Sequence, residues 1–244
     1  MAAPIGLQPT AELAERVLLP GDPARALLLA ESLIDGARMF NHHRGLWGYS
    51  GRALDGEPLT IQSTGMGGPS AAIVIHELIE LGARRLLRIG TCGALQPALH
   101  LGEMVIATEA VAADGTSRAL GAGERVPATP GLLAAVQDSA TAGAAPVTVH
   151  RGPVVSTDLF YDRRGLESGW HAAGVLAVEM EAATLFALAA AYGVEAAALL
   201  TVSDLVLPER VRIGPEELQS AERRMGQAAL RALSLESRAP GAQP

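Results

Sequence analysis

The sequence predicts a single-domain α/β fold, in which helices flank a central mixed, largely parallel twisted sheet. Short apolar runs typical of buried strands alternate with amphipathic segments of helical periodicity along the chain. Glycine-rich turns follow several of these runs, as is usual where a strand leads into a helix. A chain of 244 residues that is 49% hydrophobic can bury such a core within one domain, here residues 1–244.

The predicted elements follow one another in a regular order. Residues 17–19 form a strand that ends at the turn PGDP, and a helix follows at 24–32. Asp55 and Gly56 join two strands into a hairpin, because this dipeptide is a strong two-residue turn signal. The remaining predictions are strands at 47–54, 59–63, 86–89, 104–111, 147–155 and 196–202, helices at 71–81, 130–142, 181–192 and 215–235, and a disordered tail after residue 237.

Composition and charge narrow the classes of function. The net charge is −7, all 19 basic residues are arginine and none forms a basic run, so nucleic acid and membrane surfaces are not expected partners. Cys92 is the only cysteine, which excludes an internal disulfide and makes a cysteine-based metal site unexpected. The first ten residues do not resemble a signal peptide, and Glu195 interrupts the most apolar stretch, so we expect a cytoplasmic location.

Four predicted strands end in residues that are candidates for binding or catalysis. They are residues 21–22, 64–67, 90–93 and 203–204. Sheets of this class bind ligands at the carboxyl ends of their strands. The sequence therefore predicts that these four segments converge on one cleft.

The loop GMGGPS at residues 65–70 resembles a dinucleotide-binding fingerprint, because it follows a strand and precedes a helix. That fingerprint also requires an acid at the end of the next strand, where this sequence has Gly90 and Thr91. We therefore exclude a nicotinamide cofactor. Two interpretations remain open: a loop whose amides bind an anion or a sugar, and a tight strand-to-helix turn.

Two arginines are candidates for an anion site. Arg25 follows the turn after the first strand, and Arg88 lies inside the apolar strand LLRI. A charge within a buried strand is costly unless it is paired, so Arg88 requires either a carboxylate or a bound anion. Thr91 adds a hydroxyl of the kind that completes a phosphate site.

Three acids are candidates for the remaining chemistry. Glu179 and Glu181 lie where a helix begins, so either both complement the helix dipole or one of them accepts hydrogen bonds from the vicinal hydroxyls of a ribose. Asp204 follows Ser203 at a strand end, where it is either a turn residue or a buried acid that gives up a proton. By themselves these residues indicate an α/β enzyme with an anion site and two functional acids.

The chain resembles the purine nucleoside phosphorylases of the nucleoside phosphorylase superfamily, in their homohexameric bacterial branch. Seven motifs in order carry the resemblance from about residue 14 to residue 235, nearly the whole chain: VLLPGDP at 17–23, NHHRGLWG at 41–48, STGMGGPS at 63–70, RIGTCGA at 88–94, DLFY at 158–161, VEMEA at 178–182 and SD at 203–204.

The resemblance implies phosphorolysis of purine nucleosides to a purine base and (deoxy)ribose 1-phosphate, with inorganic phosphate as co-substrate and no metal or organic cofactor. It implies a homo-oligomer, expected to be a hexamer built as a trimer of dimers. The implied phosphate ligands are Gly21, Arg25, Arg88 and Thr91, with Arg44 from a neighbouring subunit. The implied nucleoside contacts are Met66, Cys92, Gly93, Phe160, Glu179, Met180, Glu181 and Ser203. Asp204 is implied as the acid that protonates N7 of the leaving base.

Several alternatives stay open. Uridine phosphorylases share part of these motifs, but residues 162–170 lack the glutamine of their uracil-binding insertion, which favours purine. Residues 4–7 lack the histidine with which many relatives reach a neighbour's 5′-hydroxyl, so 5′-methylthioadenosine is also a candidate substrate. The residues do not decide between 6-amino and 6-oxo purines. Two further alternatives are not phosphorylases: a hydrolytic nucleosidase, and a non-catalytic relative that binds or stores nucleosides.

The partner of Asp204 is also open. Some relatives place an arginine in the last helix to assist the acid, and Leu218 stands at that place here. Arg210, Arg212 and Arg223 are the candidates to replace it.

Overall fold

The computed structural model describes residues 4–142 and 147–234, and in these ranges eleven strands form one sheet. The strands are β1 Arg16–Leu19, β2 Ile34–Asn41, β3 Gly48–Ala53, β4 Pro58–Gln62, β5 Arg85–Ala94, β6 Met104–Ala112, β7 Arg125–Pro127, β8 Val149–Ser156, β9 Ala177–Glu179, β10 Glu195–Leu205 and β11 Val211–Arg212. The helices are α1 Pro23–Leu33, α2 Gly68–Leu81, α3 Gly115–Ala119, α4 Pro130–Thr141, α5 Leu166–Ala172, α6 Ala182–Tyr192 and α7 Pro215–Ser234.

The sheet is mixed, and part of it closes on itself. β5 pairs in parallel with β1 and β10, while β8 pairs in parallel with β6 and β9. β10 pairs with β6, and β9 with β5, in the antiparallel sense. These pairings complete a ring of five strands, β5, β10, β6, β8 and β9, from which β1, β4, β3 and β2 continue as an open sheet. The predicted α/β class with a central mixed sheet is confirmed.

Helices cover both faces of the sheet, as the alternation along β10 shows. Ala198 and Leu200 pack in the cluster that contains α2 and α6, whereas Ala197 and Leu199 pack in the cluster that contains α1, α4 and α7. A strand that is buried on both faces reads as one continuous apolar run rather than as an alternating pattern. This is why β10 could be predicted from sequence as a buried strand.

The sequence misses the short elements and shifts some boundaries. β9 has three residues and β11 has two, too few to show a period. β2 is mostly exposed along its middle, so it lacks an apolar run. The strand predicted at 147–155 begins at Val149, and the helix predicted at 181–192 begins at Ala182, because Glu181 has non-helical dihedral angles. Residue 235 and the tail predicted to be disordered lie outside the described residues.

Helices α1 and α7 approach each other closely at Gly226. A Cβ added at this position would lie 2.3 Å from Cδ2 of Leu29, far inside van der Waals contact. Leu29 is fully buried, so it has little room to move. The absence of a side chain at Gly226 therefore sets the distance between the two helices.

We expect Gly226→Ala to destabilise the protein by about 1–3 kcal/mol, because the new methyl group overpacks the contact between α1 and α7. Gly169→Ala is the matched control, since Gly169 also lies inside a helix but has open space around it. The control should raise stability by up to about 1 kcal/mol through helix propensity alone. Urea unfolding measures both, and equal effects of the two variants would contradict the close contact.

Candidate active site

A cleft of about 400 Å³ opens where the carboxyl ends of β1, β4, β5 and β10 come together. The four strand ends that the sequence predicts to converge line this one cavity. β9, the start of α6 and the loop after β8 complete its wall. A cavity of this size is in the range that encloses a small organic ligand.

Nearly all of the candidate residues line this cleft: Gly21, Arg25, Met66, Arg88, Thr91, Cys92, Gly93, Phe160, Glu179, Met180, Glu181, Ser203 and Asp204. The exception is Arg44, which lies on the short 3-10 helix His43–Gly45 and is exposed. Its φ of 57° is in the left-handed region, which is uncommon for any residue except glycine.

Arg88 extends along β5 toward the cleft. Alternate residues of a strand share one face, so its side chain passes over Gly90. A Cβ at Gly90 would lie 2.8 Å from Nη2 of Arg88, and only a glycine leaves the guanidinium this space. Nε donates to Oε2 of Glu179 at 2.9 Å, and Nη2 lies 2.5 Å from Oε2 of Glu181. The charge in this strand is therefore paired with two carboxylates.

The carboxylate of Glu179 is fully used by protein partners. Besides Arg88, it accepts hydrogen bonds from the hydroxyl of Ser156 and from the backbone N–H groups of Glu181 at 2.9 Å and Ala182 at 3.0 Å. Its side chain is completely buried. A carboxylate with this many donors has little capacity left for a ligand, so Glu179 anchors the start of α6 beneath the cleft.

Glu181 connects Arg88 to the glycine-rich loop. Its Oε1 accepts the backbone N–H of Gly67 at 2.5 Å, while Oε2 faces Arg88. Gly65 and Gly67 have φ values of 72° and 85°, a region that suits glycine and lets the loop turn its backbone toward the carboxylate. Burial raises the pKa of Glu181, although the Arg88 charge opposes this rise.

Arg25 has a carboxylate partner that the sequence analysis missed. Its Nε donates to Oε1 of Glu222 at 2.7 Å, and both side chains are about nine-tenths buried. Glu222 lies on the buried face of α7, one position after Ala221 and three before Met225. A carboxylate within the apolar stripe of a predicted helix was the signal that could have revealed it.

Asp204 lies at the end of β10 beside a β-bulge. The register of β10 against β5 shifts between Val202 and Asp204, which places Asp204 opposite Gly93. Such bulges re-aim side chains near functional sites. The Ser203 hydroxyl donates to Oδ2 of Asp204 at 2.7 Å. Oδ1 is buried and has no aligned hydrogen-bond partner among residues 4–142 and 147–234.

Two arginines approach Asp204 from the segment after β10. Nε of Arg212 lies 3.1 Å from Oδ1 but is not aligned for a hydrogen bond, and Nη1 of Arg210 lies 3.9 Å away. Arg212 is the antiparallel partner of Asp204 in the pairing of β11 with β10. Arg223 is exposed on α7 and does not line the cleft. Arg212 and Arg210 are thus the arginines placed to act on this acid.

The outer wall of the cleft is aromatic and exposed. The ring of Phe160 is 47% exposed and contacts Tyr161 edge to face, with ring centroids 4.9 Å apart. The guanidinium carbon of Arg210 lies 4.7 Å from the centroid of the Phe160 ring, a cation–π distance. Arg210 therefore contacts the aromatic wall and also lies near Asp204.

Two further observations concern metal binding and membrane insertion. Within the described parts of the chain, no cluster of three or more histidine, cysteine or acidic side chains is arranged to hold a metal ion. No helix in those same ranges is long and apolar enough to cross a bilayer.

Fold and cleft together define a protein of the phosphorylase type. Residues 15–235 match the family model described as "Phosphorylase superfamily", and the chain belongs to that family. The resemblance found in the sequence is confirmed.

Among its relatives are proteins named "Purine nucleoside phosphorylase DeoD-type". The one from Geobacillus kaustophilus is 39% identical over 229 residues, which is 92% of each chain. The one from Caldanaerobacter subterraneus is 43% identical over 197 residues, 79% of this chain and 84% of the relative. The one from Jannaschia sp. is 40% identical over 238 residues, 95% of this chain and 99% of the relative.

We expect Cys92 to be unreactive in the native protein. Burial raises the pKa of its thiol, and the charge of Glu179 adds to the effect, so almost no thiolate exists at pH 8. A disulfide reagent such as Ellman's reagent should titrate no thiol in the native state and one per chain in denaturant. Glutathione at the same pH is the control for the reagent, and prompt reaction of the native protein would contradict the burial of this thiol.

Proposed function

We propose that the protein catalyses the phosphorolysis of purine nucleosides, which yields the free base and (deoxy)ribose 1-phosphate. The observation that carries the proposal is that one cleft holds Arg25 and Arg88 together with Glu181 and Asp204. A reaction that joins an anion to a sugar and releases a base requires an anion site, a partner for the sugar hydroxyls and a proton donor. The names of the relatives support purine nucleosides as the substrate class.

Phosphate would bind at the buried end of the cleft. Glu222 holds Arg25 through Nε, which leaves both terminal nitrogens of Arg25 for an oxyanion. Arg88 is paired through Nε with Glu179 and through Nη2 with Glu181, which leaves Nη1 for the same anion. Thr91 supplies a hydroxyl at the end of β5. Gly21 would contribute its backbone, because it lines the cleft without a side chain.

Ribose would lie across the middle of the cleft. Glu181 is the acceptor proposed for its vicinal hydroxyls, because its carboxylate lines the cavity and is oriented by Gly67 and Arg88. Met66 and Met180 would pack against the sugar with their apolar side chains.

The base would stack on Phe160 beside the backbone of Cys92 and Gly93, with Ser203 and Asp204 at its imidazole edge. Asp204 would donate a proton to N7, which converts the base into a neutral leaving group. The buried Oδ1, which lacks a hydrogen-bond partner among the described residues, supports this role. Arg212 and Arg210 would stabilise the carboxylate that proton transfer leaves behind.

Bond making and bond breaking balance at C1′ of the sugar. As the bond to N9 breaks, positive charge develops on the ribose, and the phosphate held by Arg25 and Arg88 stabilises it. A phosphate oxygen then bonds to C1′, while the proton from Asp204 remains on N7 of the released base. The carboxylate of Asp204 regains a proton from solvent before the next turnover.

The charge of the phosphate site indicates a contribution from a second copy of the chain. In one chain the guanidiniums of Arg25 and Arg88 are paired with three carboxylates, those of Glu179, Glu181 and Glu222. A phosphate dianion would therefore add to an excess of negative charge. We propose that Arg44 of a neighbouring copy completes the site in a homo-oligomer, in line with the hexamer that the resemblance implies.

The conformation of Arg44 supports this role. The side-chain amide of Asn41 donates to the carbonyl of Leu46 at 2.5 Å, and Gln62 donates to the same carbonyl at 2.9 Å. These buried amides hold the loop that presents the exposed Arg44. Inorganic phosphate as the only additional reactant and a cytoplasmic location stay predictions of the sequence.

A substrate panel tests the proposal. Inosine and adenosine should be cleaved only when phosphate is present, whereas uridine should not be cleaved. 5′-Methylthioadenosine belongs in the panel because Ile5 and Gly6 occupy the segment in which many relatives have a histidine. Cleavage that is equally fast without phosphate would indicate a hydrolase, turnover of uridine alone would contradict the purine assignment, and no turnover of any nucleoside would favour a non-catalytic binding protein.

We expect Asp204→Asn to lower kcat for inosine by about 10²–10⁴-fold, because the amide cannot protonate N7. 7-Methylguanosine should lose little, since its N7 already carries a methyl group and a positive charge. Asp162→Asn is the matched control, a carboxylate that lines the same cleft but pairs with Arg164. Equal losses with inosine and 7-methylguanosine, or a large rise in the KM for phosphate, would contradict the role of Asp204.

A further inference from the structure

We propose that Glu222 is the positioning residue of the phosphate site, since it fixes the guanidinium of Arg25 from α7. The inference rests on the proposed function, because that function assigns Arg25 to phosphate. The contact joins residues that are 197 positions apart in the chain. It therefore links the first turn of α1 to the last helix of the fold.

The location of Glu222 requires an explanation other than stability. The residue is 8% exposed and belongs to the buried face of α7, between Ala221 and Met225. A buried ion pair often contributes no more to stability than well-packed apolar residues of the same size. A carboxylate at this place is therefore better explained by what it does to Arg25.

Glu222 binds Arg25 through Nε, so the fork formed by the two terminal nitrogens of the guanidinium stays available. Glu222 accepts from Nε, and in residues 4–142 and 147–234 no protein group accepts from the two terminal nitrogens. A guanidinium is planar, so fixing Nε restricts the direction of the whole fork. Arg25 lines the cleft, and its charge is one of those that oppose the rise in the pKa of Glu181 that burial causes. Arg25 therefore lies in the same cleft as the other groups of the site.

Helix packing holds Glu222 at the right distance. Four residues after Glu222, Gly226 meets Leu29, and Leu29 lies four residues after Arg25. The two contacts therefore lie one helical turn apart along the packed pair of α1 and α7. The close approach at Gly226 lets a carboxylate on α7 reach an arginine on α1 at 2.7 Å.

Two variants of nearly equal size separate positioning from packing and charge. Glu222→Gln keeps an oxygen that accepts from Nε and removes the charge, whereas Glu222→Met fills the volume and accepts no hydrogen bond. If Glu222 positions Arg25, the KM for phosphate should rise on the order of tenfold in the methionine variant. The glutamine variant should stay within about threefold of the wild type, because it retains the acceptor. The KM for inosine and the kcat at saturating phosphate should change much less in both.

Asp55→Asn is the matched control. Asp55 also pairs with a buried arginine, Arg16, but it lies outside the cleft and is itself partly exposed. This control should lower the melting temperature and leave the KM for phosphate unchanged. If Glu222→Met gives no soluble protein, Glu222→Asp takes its place, because it withdraws the carboxylate by one methylene and should also raise the KM for phosphate.

The outcomes distinguish this proposal from the function on which it rests. Thermal stabilisation by phosphate alone, without nucleoside, is measured for every variant. A wild type that binds phosphate but cleaves no nucleoside contradicts the proposed function, and the proposal for Glu222 then stands or falls on the loss of stabilisation in Glu222→Met. An unchanged phosphate KM in that variant, equal rises in the glutamine and methionine variants, or an equal rise in the KM for inosine would overturn it.

Discussion

The cleft depends on one buried guanidinium, that of Arg88, which is held between Glu179 and Glu181. Without this charge, two carboxylates two residues apart would be buried side by side and repel each other. The same contact lets Glu179 anchor the start of α6 through the N–H groups of Glu181 and Ala182. Arg88 therefore builds the wall of the cleft as well as presenting charge to it, and the small size of Gly90 makes room for both.

The balance of charge explains several features of the site together. Arg25 and Arg88 bind more carboxylates than they can neutralise. Burial raises the pKa of Glu181, and the charge of Glu179, which adds to this rise, is one expression of the imbalance. The proposed contribution of a further guanidinium from a neighbouring copy follows from the same imbalance. An exposed arginine on a loop that buried amides hold, as Arg44 is, suits a site that is completed across an interface.

Features that depend on local contacts could be predicted from the sequence, whereas features that depend on contacts between distant residues could not. The strand ends and the anomalous charge at Arg88 could be found from sequence, because a buried strand and a charge within it are local signals. The closure of the five-stranded ring could not, because β9 is three residues long and is defined only by distant partners. The roles of Glu222 and Arg212 were missed or left open for the same reason, since each meets its partner through tertiary packing. Glu179 shows a further limit: its motif predicts a ligand contact, but its oxygens are used by the protein.

The two halves of the cleft are built differently, and this difference bears on selectivity. The half proposed to bind phosphate consists of buried side chains that ion pairs hold in place, such as Arg25 and Arg88. The half proposed to bind the base also includes exposed groups, with Phe160 at 47% exposure and the Arg210 side chain at 37%. Ordering an exposed, rotamer-rich side chain costs about 0.5–1.5 kcal/mol on binding, a cost that buried and paired groups largely avoid. Under the proposed function, the rigid half favours one small anion, whereas the more exposed half can adapt to bases that differ at their edges. Asp204 belongs to the proposed base half but is itself buried, so this acid is held in place while the wall around it can adapt.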